Sequence, residues 1–245
     1  MRIELVGLTK RYSSRVALDD VSLVIEPGQI VAAVGANGAG KTTLLRCLGA
    51  VAAPDRGKIL YDDEPFERGR VDLRKRLAFL PEVPFVHAGM SVLGHIGLVM
   101  QLYGTTGEGV EETVIELLME LGMLPLAEMP FGKLSRGQAY KGAMAALFAA
   151  SPELLIFDEP FASGMDPQGL AAFRRRARAA ADLGHTVIYT TQLLELAENF
   201  CDRVCILHCG RVLAYGSVEH LRSQLDLSDE RVLESIFTQL HEADL

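Results

Sequence analysis

The periodicity of apolar positions changes several times along the chain, and each change marks an element. Ile3 to Tyr12 alternates apolar with polar residues, the pattern of an edge strand with one wet face. Val21 to Ile25 reads as a second strand, closed by the turn signal Glu26-Pro27-Gly28. Ile30 to Val34 is wholly apolar and reads as a strand, and Thr43 to Leu48 follows as a helix. Gly57 to Tyr61 is a short strand, and Leu77 to Leu80 a buried one ending at Pro81. Two segments at helical spacing come next, Val92 to Tyr103 and Val110 to Leu121, with Gly104 and Gly122 as breakers. Gln138 to Ala150 is an Ala-rich helix whose run Ala143 to Ala150 suits core packing. Leu154 to Phe157 returns to a fully buried strand. A helix (170–183), a strand (186–190), a helix (193–200) and two short strands around Gly210 complete the pattern, and a tail from Gly216 holds two short amphipathic helices.

This order predicts an α/β protein. An αβ core (1–84 and 151–220) is interrupted by a helical subdomain (85–150) and followed by a helical tail (221–245). At 245 residues the chain can bury a substantial core. No apolar run approaches the ~20 residues of a membrane span. The start, Met1-Arg2-Ile3-Glu4-Leu5, lacks the apolar core of a signal peptide, so a soluble, cytosolic protein is expected. A net charge of −8 argues against nucleic acid as a partner. The cluster Arg174-Arg175-Arg176 with Arg178 reads as a solvated helical face in preference to a partner or anionic-lipid contact. Cys201, Cys205 and Cys209 recur every fourth residue, but a strand and turn run through them, so free thiols are expected, as for Cys47.

Chemistry enters at Gly35-Ala36-Asn37-Gly38-Ala39-Gly40-Lys41-Thr42-Thr43, which has the spacing G-x-x-x-x-G-K-T of a phosphate-binding P-loop. Glycines at 35, 38 and 40 let the backbone turn tightly, so that successive N–H groups converge on a phosphate chain. Lys41 is placed to reach the β and γ phosphates and the Thr42 hydroxyl to bind Mg²⁺, and the helix that follows adds its positive end. The strand before the loop and the helix after it are the context such a motif requires. Further on, Leu154-Leu155-Ile156-Phe157-Asp158-Glu159-Pro160 ends an apolar strand in two carboxylates. Asp158 is expected to hold Mg²⁺ and Glu159 to act as general base toward the attacking water.

Between these motifs stands Leu134-Ser135-Arg136-Gly137-Gln138, and here the chain resembles the ATP-binding-cassette (ABC) ATPases, whose signature is Leu-Ser-Gly-Gly-Gln or a close variant. The resemblance covers essentially the whole chain. It implies the P-loop NTPase core of ABC type, with an N-terminal antiparallel β portion and an inserted α-helical subdomain. It implies that Ser135, Gly137 and Gln138 at the helix start clamp the ATP of an opposite subunit in a head-to-tail dimer. Tyr12 fits the aromatic that stacks on adenine, with Val16 as an apolar flank, and Ser163-Gly164-Met165-Asp166 matches the loop linking the two sites. The implied cofactors are ATP and Mg²⁺. The implied partners are membrane permease subunits and a second ABC ATPase, identical or related, and the implied location is the inner face of the cell membrane.

Two positions depart from the family pattern. Glu82 stands where the family usually has Gln; it keeps an oxygen for Mg²⁺ but adds charge beside Asp158 and Glu159. Gln192 stands where the family places the His that contacts the γ-phosphate, and an amide cannot carry a proton at neutral pH. Slow but non-zero hydrolysis is therefore expected. The segment Val232 to Leu240 resembles the tail of drug- and antibiotic-efflux ATPases, which favours export over import. The alternatives are an ATP-gated binding subunit with negligible turnover, and a soluble ABC ATPase of a non-transport complex.

Overall fold

The computed structural model describes residues 1–67, 69–224 and 233–236. Its first strands, β1 (Ile3–Tyr12) and β2 (Arg15–Ile25), form a hairpin through Ser13 and Ser14. β3 (Ile30–Val34) leads through the P-loop into α1 (Lys41–Leu48). β4 (Arg56–Tyr61) and the two-residue β5 (Glu64–Pro65) join the hairpin in an antiparallel sheet of order β2-β1-β4-β5. β1 is thus an interior strand, not an edge strand. Its alternation arises because Ile3, Leu5 and Leu8 are buried on one face only, and that pattern is the same for interior and edge strands. β2 also begins six residues earlier than its apolar pattern indicates, because Arg15 and Val16 pair with Tyr12 and Arg11 near the hairpin tip.

The second sheet carries the site. After the short α2 (Val71–Arg74), β6 (Leu77–Leu80) forms one edge of it. Three helices follow: α3 (Val92–Tyr103), α4 (Val110–Glu120) and α5 (Arg136–Ala150). β7 (Leu154–Phe157), α6 (Pro167–Asp182), β8 (Thr186–Thr191), α7 (Leu194–Phe200), β9 (Arg203–His208), β10 (Arg211–Gly216) and α8 (Val218–Gln224) follow in order. The sheet order is β10-β9-β3-β8-β7-β6, parallel except for β10.

Both faces of this sheet are covered, which is why its strands are continuous apolar runs. Ile30, Ala32 and Val34 of β3, with Leu155 and Phe157 of β7, face a core shared with α3, α5 and α6. Val31, Ala33, Leu154 and Ile156 face a second core shared with α1 and the antiparallel sheet. α3 ends where the sequence says it should, whereas α1, α5 and α6 begin two or three residues earlier than their apolar patterns indicate. Ser91 caps α3 by accepting from the Gly94 N–H at 3.1 Å, and Gly104 closes it in the left-handed conformation. Ala143, Met144, Ala145 and Ala146 of α5 are all buried, so close approach to neighbouring elements accounts for the alanine run.

The arginine cluster is engaged within the fold. Arg176 makes two bonds to Glu120 of α4 (3.0 and 2.7 Å), Arg178 meets Asp202 at 3.0 Å, and Arg174 lies over the Phe200 ring. The thiols are dispersed as well: Cys47 and Cys205 are buried, Cys201 is half-buried and Cys209 is exposed in a turn. No helix among the described residues is long and apolar enough to cross a membrane. Of the exporter-like stretch 232–240 only 233–236 is described, a helical turn with Leu233 and Ile236 buried; the rest lies outside the described residues.

Candidate nucleotide site

Four neighbouring parallel strands, β3, β8, β7 and β6, release the P-loop, Gln192, the Asp158–Glu159 pair and Glu82 from their carboxyl ends. Ligands of open α/β sheets bind along this edge. A cleft of about 400 Å³ opens there, lined by Asn37, Gly38, Gly40, Lys41, Thr42 and Thr43 of the P-loop and helix start. Tyr12, Glu82, Glu159 and Gln192 line it as well.

The P-loop glycines have specific physical reasons. A Cβ at Gly35 would overlap the Leu207 carbonyl oxygen, and one at Gly40 would lie 2.5 Å from that of Ala17. Gly38 and Gly40 also have φ of 83° and 110°, where a side chain is strained. Gly40 offers α1 no side-chain cap, so the first N–H groups of that helix remain available to an anion. Lys41 is buried beneath the loop, its Nζ donating to the carbonyls of Gly35 (2.7 Å) and Ala36 (3.2 Å). Burial lowers the pKa of its ammonium, opposed by Glu159, whose Oε1 lies 3.9 Å away, and by Asp158. Ala36 and Ala39 shape the loop, the Ala39 N–H donating to Ala36 O at 3.1 Å.

Asp158 is the hub. Its Oδ1 accepts from Thr42 Oγ1 (3.1 Å) and from Thr190 Oγ1 (2.8 Å), and the same Thr190 oxygen accepts from the Glu159 N–H (2.8 Å). The Tyr140 hydroxyl of α5 reaches within 3.5 Å of the Asp158 carbonyl. Thr42 hydroxyl and Asp158 carboxylate are hard oxygen donors side by side, a set that fits Mg²⁺. Glu159 sits in the left-handed region (φ 47°), just past the strand end. Burial raises the pKa of its carboxyl, Lys41 and a hydrogen bond from the Gln192 side chain lower it, and Asp158 and Glu82 raise it.

The remaining predicted residues are placed less uniformly. Tyr12 lines the cleft and is partly exposed, with Lys10 Nζ 5.5 Å from its ring centre. Val16 is exposed and not among the cleft-lining residues, because strand alternation sends it opposite to its lining neighbours Arg15 and Ala17. Glu82 lines the cleft, and its Oε1 accepts from Arg136 Nη2 at 2.6 Å. Ser135, Gly137 and Gln138 do not line this cleft. Ser135 caps α5 in a capping box, accepting from Gln138 N–H (3.2 Å) while Gln138 Oε1 accepts from Ser135 N–H (2.9 Å). A Cβ at Gly137 would overlap the Gly164 carbonyl oxygen, so the helix start is packed against the loop Ser163 to Asp166 of its own chain. Asp166 in turn caps α6 and binds the buried Lys141 at 2.9 Å, which holds its carboxyl below the usual range.

Three residues escaped sequence reasoning. Arg15 lines the cleft and donates to Gly38 O at 3.1 Å; its signal, a cation at the start of a strand beside a hairpin turn, is too common to notice. Thr190 is a hydroxyl inside an apolar strand, a polar position that a fully buried element must satisfy. Arg136, the variable residue of Leu-Ser-x-Gly-Gln, pairs with a residue 54 positions away.

A strand–P-loop–helix, two carboxylates at the end of β7 two strands away and a capped Leu-Ser-Arg-Gly-Gln helix define an ATP-binding cassette. Residues 18–162 match the family described as ABC transporter, and the chain belongs to that family of ATP-binding, ATP-hydrolysing subunits. It is 32 % identical over 237 residues to the ABC-type transporter ATP-binding protein EcsA of Bacillus subtilis, covering 97 % of this chain and 95 % of the relative. It is also 32 % identical over 221 residues to the Nod factor export ATP-binding protein I of Bradyrhizobium diazoefficiens, covering 90 % of this chain and 72 % of the relative. A solved ATP-binding subunit of an ABC transporter superposes with a TM-score of 0.91 at 29 % identity, over 98 % of this chain and all of that one.

Proposed function

We propose that this chain is the motor subunit of an ABC exporter, hydrolysing ATP at the P-loop cleft to drive separate membrane permease chains. The observation that carries the reading is the convergence of Lys41, Thr42, Asp158, Glu159 and Gln192 at adjoining strand ends. Tyr12 stacks on the adenine. The N–H groups of the P-loop and α1 bind the phosphates, and Lys41 exchanges its carbonyl partners for β and γ oxygens. Thr42 and Asp158 would hold Mg²⁺, with Glu82 as a candidate further oxygen, and the bound ion would supply positive charge against the phosphates. Glu159 accepts a proton from the water that attacks the γ-phosphorus, the bond to the β-phosphate oxygen breaks, and ADP and phosphate leave. Gln192 orients that water through its amide and holds the Glu159 carboxylate, so turnover is slow but present.

Ser135, Gly137 and Gln138 stand apart from the cleft, which fits a clamp that closes on the ATP of a second cassette, identical or related, in a head-to-tail dimer. The resemblance to Nod factor export proteins favours export. The division into an αβ core, a helical subdomain (85–150) and a tail (221–245) belongs to the same reading, with the permease docked on the helical side at the cytoplasmic face of the membrane.

Steady-state ATP hydrolysis, measured across protein concentrations beside Glu159→Gln and Gln192→His, tests the proposal. Activity per chain should rise with concentration, vanish in Glu159→Gln and increase in Gln192→His. A flat baseline rescued only by Gln192→His would show instead an ATP-gated subunit without turnover of its own.

A further inference from the structure

The ion pair between Glu82 and Arg136 joins the segment after β6 to the variable position of the Leu-Ser-Arg-Gly-Gln turn. We propose that Arg136 is a positioning residue of the nucleotide site, holding the Glu82 carboxylate so that incoming phosphates do not meet an unpaired negative charge. The inference rests on the reading of the cleft as an ATP site.

Three observations support it. Glu82 lines the cleft beside Lys41 and Glu159, and Asp158 stands just behind Thr42, so carboxylates already crowd a site meant for an anion. The Arg136 guanidinium lies against Glu82 at 2.6 Å, from the first position of α5 between Ser135 and Gly137. A cation is electrostatically out of place at a helix N-terminus, and no acidic residue occupies the first turn of α5 to compensate. The helix therefore gives no reason for an arginine there, whereas Glu82 does. The pair also ties the segment after β6 to the Leu-Ser-Arg-Gly-Gln turn, so a charge at the rim of one half-site is answered by the helix that presents the other.

Both side chains are about half exposed, at 53 % for Arg136 and 48 % for Glu82, so solvent screens the pair and the effect is modest. A double-mutant cycle measures it: wild type, Arg136→Gly, Glu82→Gln and the double variant, each titrated with the fluorescent analogue mant-ATP in EDTA. EDTA removes any role of Glu82 toward Mg²⁺, and the thermal midpoint of each protein verifies folding. Arg136→Gly should weaken mant-ATP binding roughly two- to fivefold when Glu82 is present. The same change should have almost no effect in the Glu82→Gln background, and the loss should shrink in high salt. Equal losses in both backgrounds would mean that Arg136 attracts phosphate directly or only shapes the fold, and would overturn the proposal. No loss in either background would overturn it as well. A folded wild type that does not bind mant-ATP would refute the reading of the cleft itself, a different failure from a cycle without coupling.

Discussion

Replacing Thr190 with Val removes one hydroxyl and leaves the shape of the side chain almost unchanged, which makes it a clean probe of the hub around Asp158. Thr190 is wholly buried, and its oxygen takes part in two hydrogen bonds of 2.8 Å, donating to Asp158 Oδ1 and accepting from the Glu159 N–H. The bond to the carboxylate is charge-assisted and contributes about 1.5–3 kcal/mol. The Glu159 N–H, left without a partner in the interior, costs about 1–3 kcal/mol. Asp158 retains Thr42 as a donor at 3.1 Å, which offsets part of the first term. The expected net loss is about 3 kcal/mol. With a urea m-value of about 3 kcal/mol/M, the midpoint should fall by about 1 M without a change in slope. Thr190→Ser, which keeps the oxygen, should stay much closer to wild type. ATP hydrolysis should fall too, because Glu159 sits at φ 47° with its N–H directed to that oxygen. Urea unfolding followed by circular dichroism is the assay. A Thr190→Val midpoint within about 0.2 M of wild type, equivalent to under 1 kcal/mol, would refute the reasoning.

Glu159 must be ionised to accept a proton, and burial raises its pKa. ATP hydrolysis should therefore decline on acidification above the ordinary glutamate value of ~4.3. Gln192→Ala, which removes a hydrogen bond to the charged form, should move that acid limb higher still; a pH–kcat profile unmoved by the substitution would count against the assignment. Gly137→Ala should destabilise the chain by about 1–3 kcal/mol, the cost of forcing a methyl group into packed backbone, here the Gly164 carbonyl. Thermal unfolding of the isolated chain reads this directly, and an unchanged midpoint would show that the loop yields at no cost.

Most of the nucleotide site is legible in the linear chain, because its contacts are local. A P-loop is one turn of backbone between a strand and a helix, so the spacing of Gly35, Gly40, Lys41 and Thr42 already dictates where the N–H groups, ammonium and hydroxyl lie. The apolar run before Asp158 likewise places two carboxylates at a strand end. The capping box of Ser135 and Gln138 is readable for the same reason, since its partners are three residues apart. Continuous apolar strands also announce a sheet covered on both faces.

What escaped the linear reading is whatever depends on pairing across sequence distance. The same alternation serves an edge strand and an interior strand, so only the partners of β1 on both sides decide its place. That Arg15 rather than Val16 faces the cleft follows from the phase of β2 against the P-loop. Thr190 becomes the bridge between Asp158 and Glu159 only because β8 lies beside β7 in the sheet. Arg136 meets Glu82 across 54 residues because α5 and the end of β6 are brought to the same edge. Local backbone chemistry therefore determined the class of site and most of its reactive groups. Tertiary packing decided which charges neutralise one another there, because Coulomb and hydrogen-bond energies depend on separation in space and not along the chain.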